Sequence, residues 1–381
     1  MKMCKAHFQT TANISPLHLL TIERAKLPMP VKKETKKTLV LLDAHAIIHR
    51  AYHALPDFTS SKGEPTGALY GLSAMLLKII QELKADYIVA CFDLPGPTYR
   101  HEVYEEYKAG RVKTDDALSE QLTRAKEVFE AFGIPIYEKE GFEADDILGT
   151  IVEQTKKEKD LSVIIASGDM DTLQLVEKKR VRVYTLKKGI HDTVLYDEKA
   201  VVERFGFPPK LLPDYKGLRG DPSDNIPGVA GIGEKTATIL ITTFGTIGEV
   251  YKALKKKPEA FEKAGIKERI QNILSENKDE AEFSKMLACI RRDAPIRYLF
   301  PKETFEEALD VTKVLTLFSE LSFRTLSERV KKLYGEGTGD LFGEEKTTIK
   351  EEVDEEKLSR AKIALWLLNS DFVHPTKEEI L

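Results

Sequence analysis

Three short apolar runs in this chain each lead into aspartate: residues 39–42 before Asp43, 87–92 before Asp93, and 163–166 before Ser167, Gly168, Asp169 and Asp171. Each run is rich in β-branched or bulky residues, which predicts buried strands of a parallel sheet. Helical patterns lie between them, as in the amphipathic stretch 117–132 and the helix-like stretch 145–157. Alternation of this kind over residues 38 to about 200 predicts an α/β fold with a mostly parallel central sheet flanked by helices. From about 201 to 335 the chain reads mainly as helices, punctuated by the Gly- and Pro-rich stretch 221–233.

The flanks read differently. Residues 1–37 lack sustained periodicity, contain three prolines and end in a Lys-rich stretch, which predicts a disordered leader with Met29 as an alternative start. Residues 336–357 are Gly-rich and then acidic, a linker composition. Residues 358–381 include an apolar strand or helix at 363–368 that carries the sole tryptophan, Trp366. No internal repeat is found.

Charge changes this picture once it is divided along the chain. The formal net charge of −4 contains a tail, residues 336–381, with 12 acids against 6 bases, which leaves 50 acids and 52 bases in residues 1–335. A body balanced in this way is compatible with a polyanionic partner. Three cysteines, Cys4, Cys91 and Cys289, show no disulfide or metal-ligand spacing, which points to a reducing cytoplasm. No apolar stretch approaches the roughly 20 residues needed to span a bilayer, so a soluble chain with no membrane partner is expected.

In open α/β sheets ligands bind outside the carboxyl ends of the strands, where Asp43, Asp93, Asp169 and Asp171 would sit. The segment at 141–148 adds Glu143, Asp145 and Asp146 at the start of a helix, and the turn-forming segment at 220–225 adds Asp221 and Asp224. One acid suffices to cap a helix, not three. Nine like charges in one place require cations to neutralise them. Carboxylates without His or Cys suit Mg²⁺ or Mn²⁺, and two such ions about 3.5–4 Å apart can activate a water and stabilise the leaving oxygen of a phosphodiester. Phosphoryl transfer is therefore the implied reaction class.

Two further segments suggest how a nucleic acid would be held. The stretch 226–237 frames Gly228, Gly231 and Gly233 with apolar residues and is followed by a helix-like stretch. Glycines let a backbone approach phosphate, and a helix N-terminus offers free N–H groups, although a tight helix–helix turn with no ligand fits the same pattern. Residues 99–111 interleave Tyr99, Tyr104 and Tyr107 with Arg100, His101, Lys108 and Arg111. That suits stacking on splayed bases with cations tracking phosphates, and equally a solvated helix face.

Over residues 38 to about 325 the sequence resembles the 5′ nuclease domain of bacterial DNA polymerase I, a member of the flap endonuclease group. The matching stretches are LVLLDAHAIIHRAYHAL, GEPTGALYGL, YRHEVYEEYKAGR, GFEADDILGT, SGDMDTLQLV and GLRGDPSDNIPGVAGIGEKTA. The resemblance implies a PIN-like nuclease domain over 38–200 and a helical DNA-binding subdomain over 201–335. It places the metal-binding acids on Asp43, Asp93, Glu143, Asp145, Asp146, Asp169, Asp171, Asp221 and Asp224, with two Mg²⁺ or Mn²⁺ ions. Residues near 98–125 become a helical arch, with Lys108 and Arg111 on the scissile phosphate and Arg100 and Tyr107 among the DNA contacts. Gly228, Gly231, Gly233, Lys235 and Thr236 fall on a helix-hairpin-helix that grips duplex DNA through its backbone, often with a bound K⁺. The implied activity is 5′-3′ exonuclease and 5′-flap endonuclease action on flapped, nicked or gapped DNA in replication and repair, by a monomer that is a stand-alone nuclease, the partner of a separately encoded polymerase or a fragment of a longer chain, three alternatives that the resemblance leaves open. Met170 departs from the family, which usually carries Lys between the two aspartates of this cluster.

Three features stand outside that frame. His45, His49 and His53 recur at four-residue spacing, but no acid-flanked zinc motif accompanies them, and a packing or surface role is expected. Asp340-Leu341-Phe342 is reminiscent of peptides that dock on the bacterial sliding clamp, without the usual glutamine. Residues 362–381 faintly resemble the start of a proofreading-like domain. The competing readings are a PIN-type ribonuclease, which the Gly-rich duplex grip speaks against, and a non-catalytic DNA-binding scaffold, which would gain nothing from nine phosphate-repelling acids.

Overall fold

The structure is a computed structural model that describes residues 36–55, 58–111, 115–188 and 192–335. The expectations for the leader, the acidic linker, Asp340-Leu341-Phe342 and Trp366 lie outside the described residues, while Lys37 already belongs to the first strand. The described residues up to Glu328 belong to one compact unit, and a second begins at Arg329.

The chain opens with β1 (Lys37–Asp43), α1 (Ala44–Ala54), α2 (Gly67–Leu83), β2 (Tyr87–Cys91), α3 (Tyr99–Val103), α4 (Asp116–Ala131) and β3 (Ile136–Tyr137). It continues with α5 (Ala144–Gln154), β4 (Leu161–Ala166), β5 (Val181–Lys188) and β6 (Asp192–Tyr196). Helices follow: α6 (Glu198–Phe205), α7 (Leu212–Arg219), α8 (Glu234–Phe244), α9 (Ile247–Lys256), α10 (Glu259–Lys263), α11 (Glu268–Glu276) and α12 (Lys278–Ala288). The last are α13 (Phe305–Ala308), α14 (Val311–Glu320) and α15 (Arg324–Tyr334).

The six strands form one sheet in the order β3-β2-β1-β4-β5-β6, parallel except where β6 runs antiparallel to β5. The three apolar runs read from the sequence become β2, β1 and β4, the adjacent central strands. Leu39, Val40, Leu41 and Leu42 are fully buried because helices cover both faces of the sheet. Leu39, Leu41, Val89, Val163 and Ile165 share one core with Ile147 and Ile151 of α5. Alternation turns Phe92 the other way, edge-on to Phe129 of α4.

The first core does not stop at the sheet. It continues through Leu212, Tyr215 and Leu218 of α7 to Leu240 of α8, Val250 of α9 and Ala281 of α12. Continuous burial of this kind fixes the helical part against the carboxyl edge of the sheet. The turn after α7 is pinned where Gly228, at φ +65°, passes over Gly220 and donates its N–H to the Ser284 hydroxyl at 3.0 Å. A Cβ at Gly228 would lie 2.2 Å from the Gly220 nitrogen. Gly228→Ala is therefore expected to destabilise the fold by more than about 2 kcal/mol in urea unfolding. A loss below about 0.5 kcal/mol would show that the turn relaxes freely.

Candidate metal centre and nucleic-acid interface

The chain steps outward from β1 to β2 and β3 and then crosses back to β4 on the other side of β1, so a topological switch point opens at the carboxyl ends of β1 and β4. Asp43 is the last residue of β1 and also caps α1, its Oδ1 accepting from the Ala46 N–H at 3.1 Å. Its Oδ2 accepts from the Ser167 hydroxyl at 2.7 Å, and that hydroxyl also accepts from the Asp169 N–H at 2.9 Å. Ser167 thus ties the ends of β1 and β4 together. Asp93 follows β2 and accepts from the Ala144 N–H at 2.7 Å, which joins it to the start of α5.

Asp43, Asp93, Glu143, Asp145 and Asp169 line one cavity of about 430 Å³ together with His45, Lys108 and Arg111. A second cavity, of about 1060 Å³, shares Ala46, His49 and Asp169 with the first and adds Asp171, Asp221, Arg50, Arg204, Tyr215, Lys216 and Arg219. The carboxylates stand on the wall between two grooves whose outer rims carry cations and aromatics.

Burial pushes the Asp43 carboxyl up to about 7, with the charges of Asp93 and Asp169 adding to it. Asp145 is raised well above the ordinary range by burial and by Asp169, Asp43, Asp171 and Glu143 together. Asp171 is raised to about 7, chiefly by burial, although Lys216 opposes the shift. Asp221, bound to the same lysine, goes the other way despite burial, because Lys216 and Ser223 hold its ionised form. One ammonium cannot compensate both acids, and Asp171 also bears the charge of Asp169.

Among the described residues no three His, Cys, Asp or Glu side chains close into a ready cage for a metal. Protein groups instead hold several of the oxygens: Lys108 donates to Glu143 at 2.7 Å, Arg111 to Asp224 at 2.6 Å, and Lys216 to Asp171 and Asp221. Crowded, mutually repelling carboxylates with hard oxygen donors are nonetheless a set that divalent cations fit.

The structure corrects four readings. Asp146 is fully buried and turns away from the other acids, accepting a bidentate pair from Arg100 at 2.8 and 2.9 Å and the backbone N–H of Glu143 and Arg291. It closes the capping box at the start of α5, in which Glu143 is the N-cap residue. Arg100, 2% exposed, also donates to the Leu287 and Cys289 carbonyls, so its guanidinium has no face left for DNA. Tyr107 is likewise interior: it packs with Ile226 and Leu287, and its hydroxyl donates to Glu143 and Asp224 at 3.2 Å. The Gly228 N–H is spent on Ser284. By contrast Lys108 and Arg111 reach the acids, and Gly231, Gly233 and Lys235 are exposed around the start of α8, with Thr236 half-buried.

Sequence reasoning gave Ser167 and Lys216 no role at the site and expected only a packing or surface role of His45. The Asp93 N–H donates to His45 Nδ1 at 3.2 Å, which leaves the ring proton on Nε2 in the neutral form. Burial lowers the His45 pKa, and its ring meets Phe92 edge-on. The local signal for Lys216 was its place five residues before Asp221.

The match to the family model described as the 5′-3′ exonuclease, N-terminal resolvase-like domain, spans residues 38–206, and the match to the 5′-3′ exonuclease, C-terminal SAM fold, spans residues 207–308. The chain belongs to the 5′-3′ exonuclease family. It is 41% identical to DNA polymerase I of Bacillus caldotenax over 297 residues, 78% of this chain and 32% of the relative. Against DNA polymerase I of Bacillus subtilis the identity is 38% over 295 residues, 77% of this chain and 32% of the relative. The chain thus spans about a third of the length of these curated relatives. Its fold is similar to that of bacteriophage T5 5′-exonuclease with bound zinc, at a TM-score of 0.53 and 20% identity over 78% of this chain and 97% of that one. A bacteriophage T5 flap endonuclease in a pseudo-enzyme-product complex with DNA and metal ions gives a TM-score of 0.53 at 18% identity, covering 78% and 99%. The two matches place a resolvase-like domain first and a SAM-like helical one after it. No helix among the described residues is long and apolar enough to cross a membrane.

Proposed function

We propose that this 5′-3′ exonuclease family member is a metal-dependent nuclease that cuts DNA near the junction of a 5′ flap or end with duplex, serving primer and flap removal in replication and repair. The reading rests on one observation above all: Asp43, Asp145 and Asp171, lining two adjoining grooves that also carry Lys108, Arg111, Lys216 and Arg219, have carboxyls raised by burial and by neighbouring carboxylates. Two divalent ions, Mg²⁺ or Mn²⁺, would supply water activation and neutralise the leaving oxygen there. Asp43, Asp93, Asp145 and Asp169 are the proposed ligands of one ion, and Asp171, Asp221 and Asp224 those of the second.

The remaining roles belong to this chain's cations and backbone. Lys108 and Arg111 exchange Glu143 and Asp224 for the scissile phosphate and stabilise its charge as it develops. Gly231, Gly233 and the free N–H groups at the start of α8, with Lys235 and Thr236, take the backbone of the duplex, with K⁺ as the ion suited to that turn. Contacts of this kind position the duplex without reading its sequence. Specificity then lies in DNA structure.

A 5′-labelled flap with added Mg²⁺, resolved on a denaturing gel, is expected to yield a product cut near the junction and no product in EDTA. Saturating Mn²⁺ at about a hundred times its Kd should stabilise the protein by about 2.7 kcal/mol. Equal cleavage in EDTA, or preference for an RNA strand of the same sequence, would overturn the reading.

A further inference from the structure

Lys216 lies in the last turn of α7, and its ammonium donates to Asp171 Oδ1 and Asp221 Oδ2. These two carboxylates belong to separate parts of the fold, one in the 3₁₀ turn after β4 and the other in the turn after α7. The side chain is 12% exposed, so the ammonium is a built part of the wall and not a surface lysine resting on it. The other oxygen of Asp221 is held by the Ser223 N–H at 3.0 Å and its hydroxyl at 2.7 Å. Met170, between the two aspartates of its cluster, lines the same groove and brings no charge. The cation on this acid pair is therefore Lys216 itself.

We propose that Lys216 is a resident counter-ion for the Asp171–Asp221 pair, and that it competes with the second divalent ion for those oxygens. The inference rests on reading the carboxylates as metal ligands. A divalent ion bound at about 2.1 Å takes up carboxylate lone pairs and repels an ammonium held on the same oxygens, so the ion and the lysine compete for them. Lys216 faces the 1060 Å³ groove, where the phosphates of a bound strand offer it another anion. DNA in that groove then raises the affinity of the second ion by drawing the competitor away, a coupling of the two ligands through one side chain. The free protein holds one ion tightly and the second weakly. The lysine keeps the acid pair assembled until substrate arrives.

The test is stepwise Mn²⁺ binding to the full chain without DNA, followed by electron paramagnetic resonance of the free ion, for wild type, Lys216→Met and Lys216→Arg. Removing a competing unit charge should tighten the second Mn²⁺ by about tenfold or more and leave the first within about twofold. Lys216→Arg keeps the charge and should stay near wild type. Adding an uncleavable DNA duplex should tighten the second ion in wild type and have little further effect in Lys216→Met. A second-ion affinity unchanged or weakened in Lys216→Met overturns the proposal. Because the variant leaves two acids unpaired, its thermal unfolding is read with and without Mn²⁺. Recovery of wild-type stability at saturating Mn²⁺ supports competition, whereas a variant that stays unfolded shows a structural lysine and ends the idea. A wild type that binds no Mn²⁺ at all would instead defeat the metal reading beneath it.

Discussion

Asp43→Asn is expected to lower kcat on a 5′-flap DNA by about a thousandfold or more while making the metal-free protein more stable. Asp43 is 5% exposed, and its carboxyl is held near 7 by burial and by Asp93 and Asp169, against an ordinary value of 3.8. A folded-state pKa above the unfolded one means that the folded protein binds more protons between those two values. Stability therefore falls as pH rises from about 4 to about 7, and the full penalty applies above 7. A shift of this size corresponds to roughly 4 kcal/mol as an upper limit. Asparagine removes the charge and keeps an oxygen for the Ala46 N–H. In urea unfolding at pH 8 without metal, the variant should gain on the order of 2–4 kcal/mol, and the gain should vanish near pH 4. Equal stability at pH 8, or cleavage within tenfold of wild type, would show that Asp43 is neither crowded nor catalytic.

Arg100→Met should cost about 3–5 kcal/mol of folding stability, because it strands the fully buried Asp146 carboxylate. The guanidinium also holds the Leu287 and Cys289 carbonyls, so one side chain joins α3, the start of α5 and the carboxyl end of α12. Pairing the change with Asp146→Leu removes the stranded charge and should recover part of the loss. A DNA-contact role makes a different forecast. If Arg100 met phosphate, its loss would weaken DNA binding and reduce the salt dependence by about one charge with little effect on folding. The geometry favours a large folding loss and, in protein still folded, an unchanged salt slope.

Lys108 and Arg111 show how far a motif can be read. Their place among tyrosines suggested a phosphate-tracking segment, and both do reach the carboxylates. Tyr107 in the same motif is 3% exposed, since its ring completes a small core with Ile226 and Leu287. Spacing along a chain does not tell a stacking aromatic from a packing one. What separates them is a neighbour more than a hundred residues away, here the turn that carries Asp224 and Ile226. Lys216 was missed for a similar reason: it reads as one more charge on a short helix until Asp171 is brought against it from the far side of β4.

The strands and the acids that end them were legible because their signal is local: a buried parallel strand must be apolar along its length, and its carboxyl end is where polar residues can return. Asp43, Asp93 and Asp169 were placed by that rule alone. The choice between Asp145 and Asp146 was not local. Adjacent residues on a helix point about 100° apart, so one of the two faces the cleft and its neighbour the interior. Which acid does which is settled by Arg100, held in place by the carbonyls of Leu287 and Cys289. Composition and periodicity determined that carboxylates would gather at one edge of the sheet, and only long-range packing decided which of them the protein's own cations had already claimed.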